Sequence, residues 1–120
     1  MISRENTQRL ELRSNVCGGR GNAAVKHIIE DESLTSARMI VRITVDPGSS
    51  FGRHMHHNET EIYYVLSGEI VTESDGREYT LRAGDASMTS DGEIHFLENR
   101  TAQPAELIAV IIGKGYAEEV

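Results

Sequence analysis

An all-β fold, a sandwich or a closed barrel of short strands, is what this sequence predicts, and three observations predict it. Candidate strands recur at roughly 8–12-residue spacing. Turn residues separate them, and no helical repeat longer than about two turns follows Ala37. The 120 residues contain no internal repeat, linker or low-complexity tract and suit one domain around one core.

The elements are justified in chain order. Met1–Ala24 is the hardest stretch to read: Leu10 and Leu12 alternate with charged residues as in a short strand, and Gly18-Gly19-Arg20-Gly21 must be a loop. That loop matches neither a phosphate loop nor a dinucleotide fingerprint. Val25–Glu30 is a candidate strand. Arg38–Val45 alternates cleanly, with Met39, Val41, Ile43 and Val45 on one face, until Asp46-Pro47-Gly48 stops it. Glu61–Leu66 heads a further strand that ends at Ser67-Gly68. Ile70–Glu73 and Glu78–Leu81 flank Ser74-Asp75-Gly76 as a hairpin, Asp-Gly supplying the positive φ. Turns follow at Arg82-Ala83-Gly84-Asp85 and Ser90-Asp91-Gly92. His95–Glu98 and Ala105–Ile112 are the last strands. The continuous apolar run Leu107–Ile112 predicts burial on both faces, and the polar tail Gly113–Val120 is expected to fray.

Composition excludes several classes. Twelve basic against nineteen acidic residues leave a net charge of −7, which repels phosphate backbones and argues against nucleic-acid binding. No apolar run approaches the ~20 residues that span a bilayer, and Met1–Leu12 carries no apolar leader stretch. With Cys17 alone, no intramolecular disulfide forms, and a cytoplasmic location is expected. Cys17 itself reads as a small filler residue or, less simply, as a reactive thiol beside the glycine loop.

Three of the five histidines crowd into His54-Met55-His56-His57. In a strand, His54 and His56 project to one side and His57 to the other. Glu61 opens the next strand, and two imidazoles with a carboxylate suit a divalent transition metal: Mn, Fe, Co, Ni or Zn. A fourth ligand is needed, and His95, just after the Ser90-Asp91-Gly92 turn, is the natural candidate.

At this point the residues resemble a family. Gly48, His54-Met55-His56, Glu61 and Gly68 resemble the first motif of the cupins, and Gly84, Ser90-Asp91-Gly92, His95 and Asn99 the second, with every spacing kept. Ser90 stands where cupins usually carry proline, which loosens the turn without touching a ligand. The resemblance implies a jelly-roll barrel, the double-stranded β-helix, over residues 25–120. It also implies one metal held by His54, His56, Glu61 and His95, and homodimerisation through an arm formed by residues 1–24.

The rest of the pocket is sketched from strand parity. Tyr63 shares a face with Glu61 and is either a hydrogen-bond donor to ligand or core packing. Leu97 shares a face with His95 as an apolar wall. Asn99 reads as a turn stabiliser. Arg42 either clamps a carboxylate or is solvated, and His27 either lines the pocket or is an ordinary half-buried histidine. Such a site leaves coordination positions free. The first reading is therefore a small metalloenzyme acting on a small polar metabolite, by dioxygenation, decarboxylation or isomerisation. The alternative is a non-catalytic domain that binds or senses a small molecule. A purely structural metal is the third.

Overall fold

A computed structural model describes all 120 residues as nine strands and two single 3-10 turns. The strands are β1 (Arg9–Ser14), β2 (Asn22–His27), β3 (Ala37–Val45), β4 (Ser50–Ser67), β5 (Glu69–Ser74), β6 (Arg77–Arg82), β7 (Ala86–Thr89), β8 (Ile94–Glu98) and β9 (Ala105–Glu119). They form one antiparallel network in the order β1-β2-β3-β9-β4-β8-β5-β6, with β7 added to β4. No helix is long and apolar enough to cross a membrane.

The 18-residue β4 is the axis of the fold. Its first part pairs β8, its whole latter part pairs β9, and Glu61–Tyr64 also pair β7. By changing partners along its length it bends the sheet over on itself, and the inward side chains of both halves meet. Thirteen residues form that core, among them Val41, Ile43 and Val45 of β3, Tyr63 and Val65 of β4, Leu97 of β8 and Leu107 and Ala109 of β9. The β3 parity expected from sequence is the one found.

The β5–β6 hairpin turns on Asp75 and Gly76, both at positive φ (52° and 74°), the geometry that closes a two-residue loop with the right twist. Four expectations are corrected. The second strand runs three residues earlier than Val25–Glu30, because its ladder to β3 starts at Ala23 opposite Val45. The segments before and after Glu61 are one strand, not two. The run Leu107–Ile112 is buried on one face only: Leu107, Ala109 and Ile111 point inward, while Ile108 and Val110 are half-buried and Ile112 is 48% exposed. The tail does not fray, since Gly113–Glu119 continues β9 and pairs with β4 from His54 to Glu59. The arm is also placed: β1 pairs with β2 of its own chain, Arg9 opposite His27 through Ser14 opposite Asn22.

Candidate metal centre

The site is built by an irregularity in β4. From Ser50 to His56 the even-numbered residues His54 and His56 face inward; from Glu59 to Val65 the odd-numbered ones do. Asn58 makes the switch. It sits at φ 59°, the left-handed region that asparagine tolerates better than most residues, and the β4–β9 register slips there. One inserted residue thus puts His54, His56, Glu59 and Glu61 on the same side. The Ser90–Glu93 turn grips this bulge: Gly92 N–H donates to the His56 carbonyl (2.7 Å), and the Asn58 N–H donates to Asp91 Oδ1 (2.7 Å). Ser90 N–H donates to Glu93 Oε1 at 3.2 Å, a bond that a proline there would lack. On the other side β9 lies so close that a Cβ on Gly115 would fall 1.6 Å from the His57 carbonyl oxygen.

Four buried donors meet inside the bend. His95 Nε2 lies 2.9 Å from His54 Nε2, 3.0 Å from His56 Nε2 and 3.1 Å from Glu61 Oε1, and His56 Nε2 lies 3.0 Å from Glu61 Oε1. All four donor atoms are within 4.8 Å of one another. Neighbouring ligands of an octahedral ion with bonds of about 2.1 Å stand about 3.0 Å apart, so these separations fit a shared cation. The outer ring nitrogens are held as well. His54 Nδ1–H donates to the Gly52 carbonyl (2.6 Å) and His56 Nδ1–H to Glu59 Oε2 (2.6 Å), while His95 Nδ1 meets Thr89 Oγ1 at 2.7 Å. Since a carbonyl and a carboxylate only accept, Nδ1 carries a proton in both His54 and His56, and in their neutral forms the two rings present Nε2 lone pairs to the centre. Lone pairs gathered this closely repel one another unless a cation lies among them. The donor set therefore fits a divalent transition metal.

The electrostatics differ from ligand to ligand: burial opposes a charge on His56, but Glu61 and Glu59 outweigh it and push that ring up. Burial, with help from His95, pushes His54 down to about 4, which keeps it neutral and able to ligate. Burial alone would raise Glu61, but the His56 and His95 rings beside it outweigh burial and hold the carboxyl at about 2. Glu59 is likewise opposed by burial, and the Arg38 guanidinium with His56 keeps it below the usual carboxylate range.

The centre opens on a cavity of about 330 Å3 whose wall includes His54, His56, Glu61 and Tyr63. Tyr63 is fully buried and stacks on His95 with ring centroids 5.0 Å apart; burial first, and then Glu61, push its hydroxyl well above the usual value. Three other sequence-predicted residues lie elsewhere. Arg42 is on the outer face of β3, where it pairs with Glu106. Leu97 is sealed in the apolar core rather than lining the cavity. His27 is held by Glu11 (2.9 Å) under a separate outer groove. His57 is outside, stacked on Tyr116 at 4.8 Å and paired with Glu118. Asn99 is a turn stabiliser, its amide donating to the Val45 and Gln103 carbonyls.

Sequence reasoning missed the cations. Arg38 and Arg13 both line the cavity. Arg38 grips Glu59 with two bonds (2.6 and 2.8 Å), completing a chain from guanidinium to carboxylate to His56. The signal for Glu59 was available only with the bulge in hand, because regular alternation turns residue 59 away from residue 56. The glycine loop is also explained. A Cβ on Gly19 would fall 2.1 Å from the Ser50 carbonyl oxygen, and one on Gly52 would fall 2.2 Å from that of Cys17, so the two backbones touch. That contact seats Val16 and Cys17 on the cavity wall. Burial and the nearby Glu119 and Glu61 charges push the Cys17 thiol up, away from the reactive thiolate.

Comparison with known proteins places this geometry. The sequence pattern of the cupin domain matches residues 41–111. A Thermotoga maritima protein named oxalate-binding protein is 39% identical over 113 residues, 93% of each chain. The crystal structure of a predicted oxalate decarboxylase from Thermotoga maritima superposes with a TM-score of 0.88 at 38% identity, over 95% of this chain and 100% of that one. The polyketide cyclase RemF from Streptomyces resistomycificus, at 22% identity over 100% of this chain and 86% of its own, shares the fold with a TM-score of 0.80.

Proposed function

The chain belongs to the cupin family, and from that premise we propose that it holds one divalent transition metal (Mn, Fe, Co, Ni or Zn) on His54, His56, Glu61 and His95, and on it binds a small chelating carboxylate of the oxalate class. The observation that carries the reading is the union of a buried four-donor cluster with a small cavity walled by two guanidiniums. The ion supplies Lewis acidity and orients whatever chelates it. The cavity, at about 330 Å3, admits a small molecule, and its cations favour an anion, which the −7 net charge of the chain would otherwise repel. The names of the Thermotoga maritima relatives point to oxalate independently.

Binding is preferred to turnover for one reason. The cavity wall holds one carboxylate, Glu61, which is a ligand, and Glu59 behind it is committed to Arg38 and His56, so no carboxyl group is free to carry a proton. Turnover is the second reading, favoured by the open side of the centre and by the decarboxylase resemblance. Titration of protein shown to carry one equivalent of metal tests both. Oxalate binding that is lost in His54→Ala supports the proposal, and release of formate and carbon dioxide moves it to the enzyme. Absence of binding to oxalate and to longer dicarboxylates overturns it.

A cytoplasmic homodimer belongs to the same proposal. It is supported by the unpaired Cys17 and by the outer sheet face around Ile112, Tyr64 and Met88, whose exposed apolar side chains a second copy would cover. Light scattering at the chain mass rather than twice that mass would remove the dimer.

A further inference from the structure

The cavity beside the metal centre has a wall contributed by the N-terminal arm: Arg13 from the end of β1, with Val16 and Cys17 after it. Arg13 and Arg38 also line the neighbouring outer groove, which runs along Arg9, Glu11, His27 and the segment after β2. These two guanidiniums therefore stand at the passage between groove and cavity.

Their partners differ in a way that assigns their roles. Glu59, the partner of Arg38, has a side chain that is 0% exposed and also receives the His56 Nδ1–H. Were Arg38 to turn toward an incoming anion, Glu59 would stay behind as a buried charge without its cation, and the carboxylate that anchors His56 would no longer be fixed in place. Glu11, the partner of Arg13 at 2.9 and 3.1 Å, is 33% exposed and has His27 as a second donor. Arg13 can leave it at little cost, because water and His27 remain to satisfy the carboxylate. Charge points the same way. A divalent ion with Glu61 is one positive charge, Arg38 with Glu59 and Arg13 with Glu11 are each neutral while paired, and a second positive charge faces the cavity only when Arg13 turns from Glu11, which Arg9 and His27 remain to face.

We propose that Arg13 is the ligand-docking residue of the site: its guanidinium receives the outer oxygens of a small dicarboxylate dianion whose inner oxygens chelate the metal, while Arg38 positions His56. This rests on the metal-and-carboxylate reading above. The two parallel N–H groups of a planar guanidinium match two adjacent anionic oxygens, here the outer oxygen of each carboxylate, so the dianionic character of the ligand is the feature Arg13 recognises. It follows that the arm is part of the binding site of its own chain.

The test is a comparison of oxalate with oxamate, its near-isostere in which one carboxylate is an amide, by calorimetric titration of the manganese-loaded full chain. Wild type should prefer oxalate by about tenfold or more. Arg13→Gln should weaken oxalate roughly 10- to 100-fold, the scale of one charge-assisted contact, and leave oxamate within about threefold. Arg13→Lys should restore part of the preference. Manganese content and melting temperature, measured on each variant, should match wild type. The metal itself favours the dianion, so part of the preference remains in Arg13→Gln; an oxalate preference undiminished from wild type overturns the assignment of Arg13 while leaving the metal-and-carboxylate reading intact. Wild type that binds neither compound overturns both.

Discussion

Two arginine–glutamate pairs flank one cavity, and they are opposites. Arg38–Glu59 has a fully buried carboxylate joined to a metal-site histidine; Arg13–Glu11 is about one-third exposed at both ends. The same chemical pair therefore serves two purposes according to depth. The buried one is rigid because breaking it strands a charge where no water can replace the lost partner. The shallow one is exchangeable because water can. On the proposed reading, in which the site both fixes a metal geometry and admits an anion, each pair serves one of the two tasks.

The contrast can be broken at either end. The largest effect is expected from Arg38→Ala, which leaves Glu59 buried with only His56 to face it. Chemical denaturation of the metal-free chain should show a loss of about 3 kcal/mol, and pairing it with Glu59→Gln should recover much of that, since the double variant no longer buries an uncompensated charge. Next comes Glu59→Gln alone, which keeps the shape and removes the charge behind His56. Competition with a chelator should show metal affinity falling about 10- to 100-fold, whereas Thr89→Ala, which touches His95 through a neutral hydroxyl, should cost less. Equal losses in the two would mean that the charge of Glu59 is irrelevant. Arg13→Ala should lower stability by less than about 1 kcal/mol by the same denaturation assay; a loss as large as that of Arg38→Ala would erase the distinction between the pairs.

The smallest effect is one of pH. Hydrogen bonds from Arg13 and His27 lower Glu11 from 4.5 to about 2. A depressed carboxyl stabilises the fold above its unfolded value and ceases to do so as pH falls through the folded one. The stability difference between wild type and Glu11→Gln should therefore be present at neutral pH, under about 1 kcal/mol after solvent screening, and fade between about pH 4.5 and pH 2. A difference that grows on acidification would contradict the assignment.

The sequence by itself determined the strand character of the chain, the β3 face that builds the core and the Asp75-Gly76 hairpin, and it singled out the four residues that the fold gathers as a candidate metal site. Each of these is a local fact or a fixed spacing: alternation places His54 beside His56, and turn residues carry their φ preference with them. Tertiary structure decided the rest. Asn58 becomes a bulge only when the Ser90–Glu93 turn and β9 grip β4 from both sides. Glu59 then turns inward to meet Arg38 from a strand about twenty residues away. The polar tail is ordered because the β4 edge offers it unpaired backbone groups, and polarity alone says nothing of that. Arg13 reaches the cavity because β1 folds back on β2, a long-range pairing that leaves no mark on local composition. Spacing reports which side chains share a strand face; only the closed sheet reports which faces meet.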